Sequence, residues 1–511
     1  MMHRLTDAAR TLSHLVRDHL SLPPTTARQA GGPLSIPEYY QRAASIGYWV
    51  HGSQVKVLTS PSQFYDQLKD NIRNAKRRIV LSALYIGNGE QDLIQTLHTS
   101  LDANPNTHLT ILVDYLRGTR GHENSVTALA PLLKAHPDRV RIALYHTPEL
   151  TGWKKRWIPQ RFNETIGLLH FKLFATDDEL IISGANLSHD YFTNRQDRYM
   201  QITDPTVTSH YARLVDRVAD LSFSVQQQPT ATTLHPPTPC PVTQPHAFRE
   251  FANVHLSPVL TPIPAKPSPE DTARADTLIV PTFQAHPLGI HQDEQLMHGL
   301  WSGLSSPASL PSTSTASPAN WSLYFTSGYF NMTPALFSTI FSLTPFPRAF
   351  HVLTAAPQAN GFYQSRGVSR FIPDAYSWLE ERFLRDVARR ARDPGAVKLS
   401  EYARNGWTFH AKGLWVVRHA ETSKGHEKVN ERDGLPVVTA IGSSNFGHRS
   451  ARRDLEAQAI VVTRNEGLQR ELKAEMDGLW REASEVSVGE LRERDVHWLT
   501  KVTAWATKNM F

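Results

Sequence analysis

Two short segments of this 511-residue chain repeat the same chemistry: Leu169-His170-Phe171-Lys172 and Phe409-His410-Ala411-Lys412. An apolar run and a turn of small residues ending in Asn follow each one. The turns are Ser183-Gly184-Ala185-Asn186 in the first half and Gly442-Ser443-Ser444-Asn445 in the second. One copy per half predicts two half-sites meeting at a pseudo-twofold axis, with two histidines and two lysines around one phosphate. A phosphodiester is anionic at neutral pH, so attack on it needs nearby positive charge and a good nucleophile. Lys172 and Lys412 supply point charges to phosphoryl oxygens, and Asn186 and Asn445 donate further hydrogen bonds. Histidine titrates near working pH and suits both remaining roles, nucleophile and acid/base. We assign His170 as the nucleophile that forms a phosphohistidine and His410 as the acid/base; near-symmetry leaves the reverse order open.

Each histidine needs a partner that fixes its tautomer. Asp197 and Glu456 each lie eleven residues beyond the Asn of their motif and are candidates for that role. The alternative for Glu456 is an ordinary salt bridge with Arg452 or Arg453. A third His-x-Lys, His426-Glu427-Lys428, sits in a polar stretch without flanking strands and serves as an internal control. Lys154, Lys155, Arg156 and Arg161 interleave with Trp153, Trp157 and Phe162. That mix suits an anionic membrane interface, with a solvated loop or a nucleic-acid contact as alternatives.

The elements that must position these groups are legible as alternating patterns. Val55–Leu58, Ile79–Ile86 and Leu109–Val113 read as strands, with helices near 60–75 and 91–101 between them. The second half repeats the scheme with strands at 322–330 and 349–353 around a helix near 334–342. Such alternation predicts an α/β fold with two repeats, each a mixed β-sheet flanked by helices, related by a pseudo-twofold with one active site at their interface. The expected units are an N-terminal segment 1–40, a first domain 41–225, a Pro/Thr-rich linker 226–275 and a second domain 276–511. Insertions fall near 302–320, low-complexity, and 419–435, polar; the linker and 302–320 read as mobile loops.

Composition sets outer bounds. A net charge of +6 suits phosphate-bearing or anionic-membrane partners without separating them. The one cysteine, Cys240, excludes a disulfide framework and a cysteine-based zinc site. Neither motif has the spacing of a metal site, so no metal or cofactor is expected. No apolar run approaches the ~20 residues that span a bilayer. Val496–Phe511 reads as a core-packing or a membrane-facing helix. Residues 1–21 carry Arg4, Arg10 and Arg17 like a mitochondrial presequence, although Asp7 and Asp18 count against it.

The paired His-x-Lys…Asn pattern resembles the phospholipase D superfamily, whose motif is His-x-Lys, four residues, Asp, then Gly-Ser-x-Asn. His170, Lys172, Asp177 and Asn186 match the first copy, whose turn reads Ser-Gly-Ala-Asn with the spacing one residue short, and His410, Lys412, Gly442, Ser443 and Asn445 match the second. Val417 stands where the second Asp belongs, so that Asp is not essential chemistry there. Asp114–Gly121, Gly184–Ser188, Arg195–Tyr199, Pro357–Phe362 and Ile372–Tyr376 resemble the eukaryotic CDP-diacylglycerol–glycerol-3-phosphate 3-phosphatidyltransferases. That resemblance implies CDP-diacylglycerol as donor, sn-glycerol 3-phosphate as acceptor, CMP as leaving group and phosphatidylglycerophosphate as product. It also implies a peripheral enzyme on the matrix side of the mitochondrial inner membrane, with no nucleic-acid partner. Arg117 and Arg120 then become candidates for the acceptor phosphate, because guanidinium matches phosphate geometry; Ser443 is a candidate substrate contact. A sister phosphatidyltransferase, a phospholipase, a nucleic-acid phosphodiesterase and a non-enzymatic binding protein are the competing readings.

Overall fold

The computed structural model describes residues 46–157, 163–228, 231–260, 274–304, 320–391, 393–419 and 434–494, together with 496 and 500. Two large mixed sheets share one strand order. In the first, Phe223–Gln227, Val140–Tyr145, His108–Asp114, Arg78–Ser82, Lys172–Thr176, Glu179–Ser183, Tyr199–Thr203 and Val55–Leu58 lie side by side. In the second, the same positions are taken by Ala483–Glu485, Val397–Tyr402, Phe350–Ala355, Trp321–Ser327, Lys412–Arg418, Leu435–Gly442, Glu456–Thr463 and Thr277–Ala285. Parallel and antiparallel pairings also correspond, with three adjacent parallel strands and the motif strand antiparallel to the innermost of them. The repeat seen in the motifs is therefore a repeat of the whole layer. Tyr48–Val50 leaves the first half and pairs with Thr277–Ala285 at the edge of the second sheet.

Local sequence explains the helices that buttress these sheets. Pro61–Asn74 starts on Ser60, whose hydroxyl accepts from the Gln63 amide, and buries Phe64, Leu68 and Ile72 along one face. Pro205–Asp220 starts on Asp204 in the same manner. Residues 226–260, read as loop from their prolines, instead form a short hairpin (Phe223–Gln227 with Thr232–His235) and the helix Pro245–Leu260. Phe248, Ala252, Leu256 and Val259 fall at helical spacing and are buried, a stripe strong enough to override the proline content. The expected segments 1–40, 305–319, 420–433 and 501–511 lie outside the described residues.

One core joins the halves. The inner faces of both sheets and the helices Pro205–Asp220 and Glu466–Arg481 contribute to a single apolar cluster, while each outer face has its own. Arg198 crosses this shared core with its side chain wholly buried. It pairs with Glu475 through Nε (2.9 Å) and Nη2 (2.8 Å), donates to Ala440 and Thr439, and lies 3.7 Å from the Trp415 ring centroid. Gly413, at φ +140°, is what admits it: a Cβ there would stand 2.1 Å from Arg198 Nη1.

Candidate active site

The motif segments are not simple continuous strands. In both halves the regular strand begins at the lysine, Lys172 or Lys412, and the residue before the histidine pairs with the opposite half. Leu169 bridges Leu455 in parallel, and the His170 amide donates to the Leu455 carbonyl at 2.9 Å. Phe409 pairs in parallel with Gln196, and the His410 amide donates to the Gln196 carbonyl at 2.8 Å. In each pair the residue before a histidine faces the residue before a carboxylate.

That register crosses the carboxylate partners of the two histidines. Glu456, from the second half, meets His170 Nδ1 with both oxygens at 3.1 and 3.0 Å. Asp197, from the first half, meets His410 Nδ1 at 2.6 Å. The salt bridge expected as the alternative for Glu456 does not form: Arg452 pairs with Glu294, and Arg453 donates to the Thr165 carbonyl. Ser443, expected to touch substrate, is buried and donates its hydroxyl to Glu456, and Ser450 donates to the other carboxylate oxygen at 2.7 Å. Gly184 gives Asp197 its room, since a Cβ would lie 2.7 Å from its carboxylate.

Both lysines fold back so that Nζ donates to the carbonyl of their own histidine, and Lys412 Nζ also lies 2.7 Å from His410 Nδ1 and 3.7 Å from Asp197. Asn186 accepts from the Leu84 amide and donates to the Tyr191 hydroxyl, which stands 3.4 Å from His410 Nε2. Tyr191 and Tyr329 both meet the His410 ring edge-on, at 5.1 and 5.6 Å between centroids. Asn445 is held by the Ser327 hydroxyl and is only half-buried. His170 Nε2 has no hydrogen-bond partner among the described residues, and its side chain is 13% exposed against 5% for His410.

Burial governs the electrostatics. It drives the Lys172 ammonium down to about 7 and that of Lys412 to about 8, against the pull of Glu456 and Asp197. Burial lifts the Asp197 carboxyl to about 6, although Lys412 opposes it. Burial also raises Glu456, but His170, Lys172 and the Ser443 hydroxyl outweigh it and hold the carboxyl at about 2. Burial lowers His170, with Glu456 opposing; burial, Lys412 and Arg195 keep His410 well below its ordinary value. Both imidazoles are thus biased towards their neutral forms, between two lysines and two carboxylates. His170, Asp454 and Glu456 could offer ligand atoms within 4.8 Å of one another. Asp454 is already bound to Arg449 and the Leu168 amide, and Glu456 to two hydroxyls and the imidazole, so these donors serve the histidine.

The remaining expectations distribute around this centre. Arg117 and Arg120 both reach Glu164, at 3.6 and 2.9 Å. Lys154, Lys155, Arg156 and Trp157 share the short helix Gly152–Trp157, where Trp157 is 73% exposed; the Trp153 side chain, Arg161 and Phe162 lie outside what is described. Asp177 serves the fold: at φ +46° it caps the Lys76–Arg78 turn, accepting from three successive amides at 2.8 to 3.0 Å. Sequence reasoning missed the roles of Tyr191, Tyr329, Arg195, Asp454 and Ser450. Arg195 and Asp454 had a usable signal, since each stands two residues before a candidate carboxylate.

A duplicated phospholipase-D-like layer with one crossed histidine–lysine centre defines the class, a phosphoryl-transferring enzyme with two half-sites. The solved phosphatidylserine synthase of Haemophilus influenzae has this fold, with a TM-score of 0.69 at 19% identity over 92% of this chain and 98% of its own. No protein-family model matches the chain. Curated relatives do. The mitochondrial CDP-diacylglycerol–glycerol-3-phosphate 3-phosphatidyltransferase of Gallus gallus is 38% identical over 91% of this chain and 85% of its own length. The human protein of that name is 36% identical over 91% and 84%, and the CDP-diacylglycerol–glycerol-3-phosphate 3-phosphatidyltransferase of Saccharomyces cerevisiae 36% over 87% and 85%. The chain belongs to the CDP-diacylglycerol–glycerol-3-phosphate 3-phosphatidyltransferase family.

Proposed function

We propose that the crossed centre carries out this family's reaction in two displacements at one phosphorus. The protein is a phosphatidyltransferase that moves the phosphatidyl group of CDP-diacylglycerol to sn-glycerol 3-phosphate, giving phosphatidylglycerophosphate and CMP. His170 Nε2 attacks the phosphatidyl phosphorus, the P–O bond to CMP breaks, and a phosphohistidine forms. The 1-hydroxyl of the acceptor then attacks that phosphorus while His410 takes its proton, and the P–N bond breaks. Glu456 holds the His170 tautomer with the proton on Nδ1 and stabilises the cation that forms on attack. Lys172, Lys412, Asn186 and Asn445 receive the phosphoryl oxygens. The donor's diphosphate draws the two lysines into their charged forms. Arg117 and Arg120 are positioned for the acceptor phosphate. The carrying observation is that each histidine is completed by a carboxylate of the other half, with the free Nε2 on His170.

Peripheral membrane seating belongs to the same proposal. Among the described residues no helix is long and apolar enough to cross a membrane. Trp157 beside Arg156, and the exposed Tyr363 and Phe371 beside Arg366 and Arg370, offer aromatic and cationic contacts for an anionic lipid surface. The Gallus gallus and human relatives carry the word mitochondrial in their names, and we place this chain on the matrix face of the inner membrane with no nucleic-acid partner. We take 41–225 and 276–511 as the two repeat units, with the helix Pro245–Leu260 in the connection. The test follows CMP and lipid products from CDP-diacylglycerol in liposomes, with and without glycerol 3-phosphate, for wild type, His170→Ala and His410→Ala. Acceptor-dependent phosphatidylglycerophosphate lost in both variants is expected, with an alkali-stable labelled phosphatidyl-enzyme still formed in His410→Ala. A labelled enzyme in His170→Ala instead would reverse the two roles.

A further inference from the structure

Four guanidinium groups gather beside the His170 end of the site, around Glu164 and Thr165. The first half supplies Arg117 and Arg120, whose Nη1 atoms approach Glu164 Oε1 at 3.6 and 2.9 Å. The second half supplies Arg449, donating to the Glu164 carbonyl at 3.1 Å, and Arg453, donating to the Thr165 carbonyl. Among the described residues, Glu164 and Asp454 are the carboxylates paired with these four, Asp454 through Arg449 at 3.2 Å. The arginines outnumber the carboxylates paired with them, and the excess positive charge suits a phosphate monoester. The Nε of Arg449 is buried without a hydrogen-bond partner, so the cluster still has a donor to place. The four arginines and Glu164 are half-buried, Arg117 spreads over the Tyr85 ring at 4.7 Å, and the cluster is wired to the nucleophile. Asp114 accepts from the Arg117 and Leu169 amides, and Asp454 accepts from the Leu168 amide, on the segment that ends at His170.

We propose that the acceptor-phosphate site is this four-arginine cluster, built by both halves, and that Glu164 is a resident anion which the acceptor's phosphate displaces. The inference rests on the transferase reading above and adds Arg449, Arg453 and Glu164 as specificity determinants. An acceptor without a phosphate dianion has nothing to exchange for the Glu164 carboxylate and leaves the cluster shut. Planar guanidinium forks from two sides fix the phosphate end, so the distal 1-hydroxyl is the end presented to the phosphohistidine.

Steady-state kinetics on liposomes containing CDP-diacylglycerol test this, with inorganic phosphate as the probe competing against glycerol 3-phosphate. Arg453→Gln removes a charged hydrogen bond to a phosphate, so KM for glycerol 3-phosphate is expected to rise ~10-fold or more and the inhibition constant of phosphate to rise in parallel. KM for CDP-diacylglycerol should move far less. Glu164→Gln removes only the competing charge and should lower both acceptor KM and the phosphate constant by several-fold. Unchanged acceptor KM in a folded Arg453→Gln, or phosphate that does not compete with the acceptor, would overturn the proposal. Should the arginine variants lose their cooperative melt, Glu164→Gln decides alone, and an unchanged or raised acceptor KM there overturns it. A wild-type protein that makes no phosphatidylglycerophosphate would instead remove the transferase reading beneath it.

Discussion

Replacing Glu456 by Gln is the most direct probe of the crossed wiring. The carboxylate sits 3.0 and 3.1 Å from His170 Nδ1 and is the leading influence that raises the His170 pKa against burial. Gln keeps the shape, and the Ser443 and Ser450 hydroxyls can turn to meet either an oxygen or an amide, so the fold should persist. What disappears is the negative charge. An opposite charge at such range shifts a pKa by about 1–3 units, which corresponds to about 1.4–4 kcal/mol between the protonation states. The cation that builds on His170 during attack loses that stabilisation, and the imidazole loses its fixed tautomer. The isosteric carboxylate-to-amide change in a serine-protease triad lowers kcat by about 10⁴. Together these place the expected loss at ~10²–10⁴ in kcat with little change in the KM of either substrate. Imidazole NMR titration reads the wiring itself: in Glu456→Gln the His170 midpoint should fall while that of His410 stays. Asp197→Asn should do the converse, disturbing His410 and sparing His170. If Asp197→Asn moves His170, or Glu456→Gln retains activity within about threefold, the crossed assignment is wrong.

The pH dependence of kcat/KM for the donor should be a narrow bell. It falls on the alkaline side as Lys172, near 7, and then Lys412, near 8, lose their protons, and on the acid side as Asp197, near 6, gains one. The lysines titrate lower folded than unfolded, so the folded state binds fewer protons above pH 7 and their penalty on stability eases as pH rises towards 10.5. Thermal melts should therefore show Lys172→Met as stable as wild type or more so at pH 7, while transfer falls at least ~100-fold. Arg198→Met leaves Glu475 buried and unpaired between the halves and should cost about 3–5 kcal/mol in denaturant melts, with partial recovery in the double variant with Glu475→Gln. Asp177→Ala removes the acceptor of three amides and should cost about 0.5–2 kcal/mol with kcat unchanged, which would separate this motif residue from the chemistry.

The motif chemistry was legible because a phosphoryl site needs charged and nucleophilic side chains that a core otherwise rejects, and the same set occurs twice. The strands and the helices near 60–75 and 91–101 were legible from apolar period alone. The two carboxylates were found by their common offset of eleven residues. The crossing was not legible, because the contacts span 286 and 213 residues and pairing within one half fits the sequence equally well. Ser443 was misread for a related reason: its motif position fits a substrate contact, but whether its hydroxyl faces a ligand or Glu456 is settled only by packing. The helix Pro245–Leu260 was lost to its prolines, although Phe248, Ala252, Leu256 and Val259 spell its buried face. Tyr191 and Tyr329 reach His410 only through tertiary structure, as two aromatics among many.

Near-symmetry of the halves makes the departures from it informative. The positions two residues before the catalytic carboxylates are equivalent in the crossed register, yet one is Arg195 and the other Asp454. Asp454 raises His170, while Arg195 lowers His410. Arg195 is itself fastened, with Nε donating to Thr408, Nη2 to Asp190, and the guanidinium 4.7 Å from the Tyr191 ring centroid. A positive charge fixed beside one histidine and a negative charge beside the other distinguish two residues that the motifs alone leave interchangeable. On the proposed mechanism, Asp454 favours the cation of a phosphohistidine at His170, and Arg195 favours the neutral imidazole that takes the acceptor's proton at His410. Arg195→Gln tests that division: the His410 midpoint should rise towards the ordinary imidazole range while His170 stays. The rise leaves less unprotonated His410 at neutral pH, so breakdown of the labelled phosphatidyl-enzyme by glycerol 3-phosphate should slow more than its formation does. Equal slowing of both steps would mean that Arg195 merely shapes the pocket, and the asymmetry of roles would have to come from the bound donor instead.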